Sequence, residues 1–463
     1  MAEPIYLTED IRRVEKAAGN AVPPLMERAG AAAAELAATL ARDTAKDVLV
    51  LAGPGNNGGD ARVLADRLKE KFFRVSVVSD ATQIPEKPWG LVVDGLFGIG
   101  LARNIEGDFA RLVDYVNRQT CPVLSLDMPS GIQSDTGRAL GHAVRATHTI
   151  TFIAMKPGLL TLDGPDHCGE VTVAALDLPI SELLAPSGWV ADRSLFSLRK
   201  RPKNFHKGMA GSLGVLGGAA GMTGAALLAG RAALKLGAGR VFVGLLEGSL
   251  TVDATTPELM LRHVDDVLGL DLDALVVGPG LGQGERAETL VGAALSSDIP
   301  CVLDADALNL LSENRTLRQA CERRGAETLL TPHPGEAARL CRKSIPEIQA
   351  DRVSAARALS ATFNAHVALK GNGSILVARD GHWFINTSGN SGMASAGMGD
   401  VLAGMLGSLL AQRYAGESAL VLGAHLHGAA ADELVRQGIG PVGLSASELI
   451  DPARRLWNSW LRD

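Results

Sequence analysis

The residues most able to do chemistry stand in one stretch, Asn386 to Leu406, NTSGNSGMASAGMGDVLAGML. Gly389, Gly392, Gly397 and Gly399 crowd in front of an apolar run that reads as a helix. Glycine lets backbone N–H groups come close to a ligand, and a helix N-terminus leaves its first N–H groups unpaired with a partial positive charge. Together these could cradle a phosphate or an oxyanion. Asp400, on the first turn, would stand beside that anion, placed to accept a proton from an attacking hydroxyl, which is the chemistry of phosphoryl transfer. For an isolated GxGD the plainer alternative is a turn followed by an ordinary N-terminal helix carboxylate.

A second set of oxygen-bearing side chains falls at the ends of apolar runs in the first half. DVLVLA, residues 47–52, reads as a buried parallel strand and is followed by GPGNNGGD and a helical ARVLADRLKEK. Gly53, Gly55 and Gly58 satisfy GxGxxG and Asp80 ends the next strand, which suits a dinucleotide dehydrogenase. Asn56, Asn57 and Asp60, however, supply side-chain oxygens where that fingerprint tolerates almost any residue, and oxygens there suit a cation or a ribose better. Asp94 ends the run WGLVVDG, and Asp127 and Ser130 follow CPVLSL. Ligands of open parallel sheets gather at the carboxyl ends of strands, so Asn57, Asp94, Asp127 and Ser130 could converge. Taken singly, each also reads as a cap or turn residue.

The positioning elements follow from periodicity. Residues 8–18 and 25–42 read as helices, and Thr149–Met155 and Glu170–Ala175 supply the last strands of the first half. Periodicity lapses between 181 and 201, which divides the chain into 1–195 and 196–463. The basic run SLRKRPKNFHKG at that junction offers Lys203, His206 and Lys207, as a solvated linker or as phosphate contacts. The second half restarts with GSLGVLGG and a small-residue helix. Then come GPGLG with Gly278, Gly280 and Gly282, DADALNLL with Asp304 and Asp306, TPHPGE with His333 and Glu336, and HVALKG, which delivers Lys370. Strand, turn and helix recur throughout, the signature of the α/β class.

Composition narrows the function. The chain has 463 residues, 46% hydrophobic and 4% aromatic, with a net charge of -6, so neither charge nor stacking surface favours nucleic acid. Its cysteines, 121, 168, 301, 321 and 341, form no CxxC pair, which points to free thiols and a cytoplasmic location. No membrane span or export signal is read, and Walker A, HExxH and zinc-type cysteine patterns are absent.

The words LMERAG (25–30), NNGGD (56–60), VVDGLFGIGL (92–101), LDMPSG (126–131) and MKPGLL (155–160) make the first half resemble the NAD(P)H-hydrate epimerase domain. In the second half GPGLG, DADALNLL, TPHPGE, LKGNGS and the Asp400 stretch resemble the ADP-dependent NAD(P)H-hydrate dehydratases. The resemblance implies an N-terminal Rossmann-like three-layer domain and a C-terminal ribokinase-like domain. It implies K⁺ held by Asn57, Asp94 and Ser130. Hydrate contacts are implied from Asn56, Asn57, Gly58, Gly59 and Asp60, and from Gly98, Ile99, Gly100, Leu101, Ala102, Arg103 and Asn104. Asp127 is the implied catalytic residue, either moving a proton or holding the leaving hydroxyl. Ala61 departs from the family, which usually has Gly there.

In the second half the resemblance implies ADP contact at Lys370, Gly371, Asn372, Gly373, Ser374 and Gly399, and hydrate contact at Ala225, Gly282, His333 and Asp400. Asp400 would be the base, with the N–H groups of Gly397 to Gly399 on the transferring phosphoryl and Mg²⁺ at the phosphates. The implied activity is repair of hydrated NADH and NADPH (NADHX and NADPHX) by a homo-oligomer: epimerisation of the R and S hydrates, then ADP-driven dehydration of S. The alternative is a vitamin or sugar kinase fused to a non-catalytic scaffold domain.

Overall fold

The computed structural model describes residues 2–247 and 250–462, and the chain divides into two compact units, 3–189 and from Val190 on. The division falls in the short strand Gly188–Val190, within the residues 181–201 where the sequence periodicity lapses.

In the first unit six parallel strands lie in the order Val75–Val78, Val48–Ala52, Leu91–Gly95, Val123–Leu126, His148–Phe152, Glu170–Ala174. Every residue of Val48–Ala52 is at most 1% exposed, because the strand is covered on both faces. Val48 and Val50 pack with Ala33, Ala37, Leu64 and Leu68 from the helices Leu25–Ala41 and Asn56–Glu70. Leu49 and Leu51 point the other way, to Val113 and Val116 of the helix Gly107–Asn117. These two cores on opposite faces of one sheet make the three layers. The sequence order reverses between Val48–Ala52 and Leu91–Gly95, so a ligand crevice opens beyond their carboxyl ends. There the two chains come so close that a Cβ on Gly53 would lie 1.9 Å from the Leu96 carbonyl oxygen.

In the second unit nine strands run Trp383–Asn386, Ser374–Val377, His366–Leu369, Thr328–Leu330, Cys301–Leu303, Ala274–Val277, Ser212–Gly217, Arg240–Leu245, Met260–His263. All pair in parallel except the two ladders of the hairpin strands 366–386, which are antiparallel. The order reverses at Ser212–Gly217, whose neighbours are Arg240–Leu245 and Ala274–Val277, and a second crevice opens there. The small-residue helix Thr223–Lys235 packs on this sheet and on the helix Met398–Ala411, where a Cβ on Gly404 would lie 2.1 Å from the Ala229 oxygen. No helix among the described residues is long and apolar enough to cross a membrane.

Candidate active sites

At the first crevice Asn56, Asn57 and Asp60 occupy the opening turns of the helix Asn56–Glu70 and line a cavity of about 310 Å³ with Gly98, Ile99, Gly100, Leu101 and Asp127. Gly58 and Gly59 do not line it; Gly58 lies against the Gly53 backbone and Gly59 against Met26. Arg103 and Asn104 line a neighbouring cavity of about 200 Å³ that shares Phe97 and Leu101, and Ala102 lines neither. Asp80 turns away from a dehydrogenase role: its carboxylate accepts the Thr82 N–H at 2.8 Å and caps a short turn.

Beneath the cavity Asp94 and Ser130 are fully buried. Asp94 accepts the Ser130 hydroxyl at 2.6 Å, the Ser130 N–H at 2.9 Å, the Ser125 hydroxyl at 2.8 Å and the Leu96 N–H at 3.3 Å. Burial still pushes its carboxyl above the usual range, against those hydrogen bonds. Asn57, 7% exposed, has neither its amide oxygen nor its amide nitrogen hydrogen-bonded. A buried amide without partners is costly, and a cation would satisfy its oxygen.

Asp127 sits at the strand end with a left-handed φ of 65°, a strained conformation for a residue with a Cβ. It accepts the Lys156 ammonium at 2.6 Å and the Ile99 N–H at 3.2 Å. Lys156 is 0% exposed and also donates to the Thr151 hydroxyl and the Phe152 carbonyl, each at 2.7 Å. Arg12 and Glu15, from the helix Thr8–Ala17, close the cavity wall. Burial raises the Glu15 carboxyl, with Asp127 adding to the effect.

At the second crevice Gly397 is the N-cap of Met398–Ala411 with φ 86°, and Asp400 lies on the first turn. Gly399 packs beside Lys370 and Asp304; a Cβ there would be 3.1 Å from Nζ and 3.4 Å from Oδ2. Lys370 donates to Asp304 at 2.9 Å, lies 4.0 Å from Glu336 and leads into the turn Gly371 to Ser374. Gly371 lies against the Arg352 guanidinium, which donates to the carbonyls of Leu369 and Asn372 and so fixes the turn. Gly282 donates its N–H to Asp306 at 2.8 Å, and Ala225 opens the helix over Gly280. His333 caps the helix Pro334–Cys341 through Nδ1 and holds Glu336 through its backbone N–H at 2.7 Å.

Burial pushes Asp400 up to about 6, aided by Asp304 and opposed by Lys370. The same cause pushes Glu336 up to about 7 and the buried His427 down to about 4. Carboxylates collect here around one ammonium, an arrangement that suits a phosphate with a hard divalent ion. Lys203, His206 and Lys207 are all exposed, in keeping with a solvated junction.

Lys156, Arg12 and Glu15 at the first site, and Asp304, Glu336, Arg352 and His427 at the second, carry no assignment from sequence. Lys156 sits inside MKPGLL, Asp304 closes the apolar run CVL, and Glu336 stands in TPHPGE after the run TLL; those positions are the signals the sequence offers.

The sequence model for NAD(P)H-hydrate dehydratase matches residues 213–453, and that for the YjeF-related protein N-terminus matches 23–86 and 78–158. The chain is 37% identical to the bifunctional NAD(P)H-hydrate repair enzyme Nnr of Coxiella burnetii, over 98% of this chain and 99% of that one. It is 35% identical to the Escherichia coli protein of the same name, over 99% and 95%. The crystal structure of the ADP/ATP-dependent NAD(P)H-hydrate dehydratase from Bacillus subtilis, co-crystallized with ATP/Mg²⁺, is similar at a TM-score of 0.50 and 30% identity. It covers 57% of this chain and 94% of that one.

Proposed function

The chain belongs to the bifunctional NAD(P)H-hydrate repair enzymes, and from that premise we propose how its two sites divide the work. The N-terminal site interconverts the R and S hydrates of NADH and NADPH. The C-terminal site dehydrates the S form with ADP, giving NAD(P)H, AMP and phosphate.

The observation that carries the second half is Asp400 on the first turn of a helix whose N-cap, Gly397, adopts a left-handed φ, with Lys370 and Asp304 against Gly399. The terminal phosphoryl of ADP rests on the N–H groups of Gly397 to Gly399, and Lys370 reaches its oxygens. Asp400 takes the proton of the hydrate hydroxyl as that oxygen attacks phosphorus. A hydroxyl is a poor leaving group and phosphate a good one, so phosphate departs with the C–O bonding pair, and loss of a proton from the adjacent ring carbon to solvent restores the ring double bond. The turn Gly371 to Ser374 holds the nucleotide, while Ala225, Gly282 and His333 hold the hydrate. Asp304 and Glu336 offer the hard oxygens Mg²⁺ prefers; bound there, the ion would neutralise phosphate charge.

At the first site the orphaned Asn57 amide, with Asp94 and Ser130 below it, supports a monovalent cation, K⁺, whose charge would offset the buried Asp94 carboxylate. Asp127, held by Lys156, acts at the ring hydroxyl. Five unpaired cysteines, three of them buried, fit a reducing cytoplasm.

Product stoichiometry tests the scheme. One AMP and one phosphate should appear per NADH restored from the S hydrate. A stable phosphorylated product with no NADH would point to a vitamin or sugar kinase instead.

A further inference from the structure

The N-terminal cavity holds two carboxyl groups in opposite surroundings. Asp127 is engaged: it accepts a buried ammonium and a backbone N–H. Asp60 lines the same cavity, yet among the described residues no hydrogen-bond donor reaches its carboxyl group. The charged groups facing it are acidic: Asp127 and, from the helix Thr8–Ala17, Glu15. Arg12 lines the same cavity, and Lys156 is taken up by Asp127. On the neighbouring helix Leu25–Ala41, Glu27 is bridged to Arg67 at 3.5 Å and Arg28 donates to the backbone oxygens of Val22, Pro23 and Leu176. On its own helix Arg62 reaches the Gly53 carbonyl at 3.4 Å. Burial, then Asp127 and Glu15, push its carboxyl up to about 8.

Two carboxyl groups in one cavity, one held by an ammonium and the other reached by no donor, suit the two roles of base and acid. We propose that Asp60 is the catalytic acid and Asp127 the catalytic base of the epimerisation, acting on the hydrate from opposite faces of its ring. The proposal rests on reading this unit as the epimerase.

The step balances without any co-reactant but water. Asp60 gives its proton to the ring hydroxyl as the C–O bond breaks; water leaves with the bonding pair, and the lone pair of the adjacent ring nitrogen forms an iminium. A water molecule adds to the other face, its oxygen forming the new C–O bond and its surplus proton passing to Asp127. One proton has left Asp60 and one has reached Asp127, so the reverse reaction uses the same pair with roles exchanged, and solvent resets both.

The test uses the full chain with K⁺ and the R hydrate in ¹⁸O-labelled water, without ADP, so that dehydration stays silent. Epimer composition and label in the ring hydroxyl are followed together. Wild type should take up label in step with epimerisation, with a rate that declines above about pH 8 as Asp60 ionises. Asp60→Asn, nearly isosteric, should lower kcat at least about 100-fold, the scale of a lost general acid, change KM little, lose label uptake in parallel and lose the alkaline decline. Asp60→Glu keeps an acid nearby and should recover part of the rate. Wild-type epimerisation without label uptake, or Asp60→Asn within about tenfold of wild type with its alkaline decline intact, would overturn the proposal. If wild type itself fails to exceed the spontaneous rate, the epimerase reading falls, and the assignment of Asp60 with it.

Discussion

The Nζ of Lys156 stands 2.6 Å from Oδ1 of Asp127, with the lysine side chain wholly sealed from solvent and the aspartate side chain 13% exposed. A buried ammonium is stable only while its partners remain, and removing it strands the carboxylate. Lys156→Met should therefore destabilise the N-terminal unit by about 3 kcal/mol, the low end for breaking a buried pair, and abolish epimerisation. Denaturant unfolding followed in that unit checks the first part; a loss under about 1 kcal/mol, the scale of an exposed pair, would contradict it.

Asp400→Asn keeps shape and removes the proposed base. Dehydration of the S hydrate should fall by about 10²–10⁴, the range for a general base, while R-to-S conversion continues unchanged. Turnover within tenfold of wild type would remove Asp400 from the role.

The base works only when ionised, so kcat/KM for dehydration should fall as pH drops through about 6, where burial has moved Asp400. Asp304 raises that value and Lys370 lowers it. Asp304→Asn should carry the acid limb to lower pH and Lys370→Met to higher pH. Shifts in the opposite directions would show that the limb belongs to another group.

Among the described residues Asn57 has no hydrogen-bond partner for its side chain, so Asn57→Leu sacrifices no hydrogen bond seen there. Global stability should hold or rise, because the costly unpaired amide is removed. Titration of epimerase activity with K⁺ should show at least a tenfold higher half-saturation. An unaltered titration would move the cation elsewhere.

Much of this architecture could be read before any coordinates. The continuous apolar run at 48–52 announces a strand covered on both faces, and the Gly-rich ends of such runs announce the crevices, because only backbone without Cβ atoms permits contacts as close as that of Gly53 with Leu96. The place of Asp400 on the first turn of a helix was legible because it depends on local chain geometry, a turn feeding a helix. Lys156, Asp304 and Glu336 were not assigned, because what gives each its role is distance across the sheet: Lys156 meets Asp127 from 29 residues away, and Lys370 meets Asp304 from 66. Strand order, which sequence periodicity does not encode, decides those meetings. The unequal surroundings of Asp60 and Asp127 likewise emerge only once the helix Thr8–Ala17 brings Glu15 to the cavity.

The most direct measurement is absorbance in the reduced-nicotinamide band while the protein, with K⁺ and Mg²⁺, meets a mixture of R and S NADH hydrates, with and without ADP. Complete recovery of NADH that requires ADP is the predicted trace, since it needs both sites in sequence. Recovery that halts at the S fraction would contradict the N-terminal assignment, and no recovery with either ADP or ATP would contradict the C-terminal one.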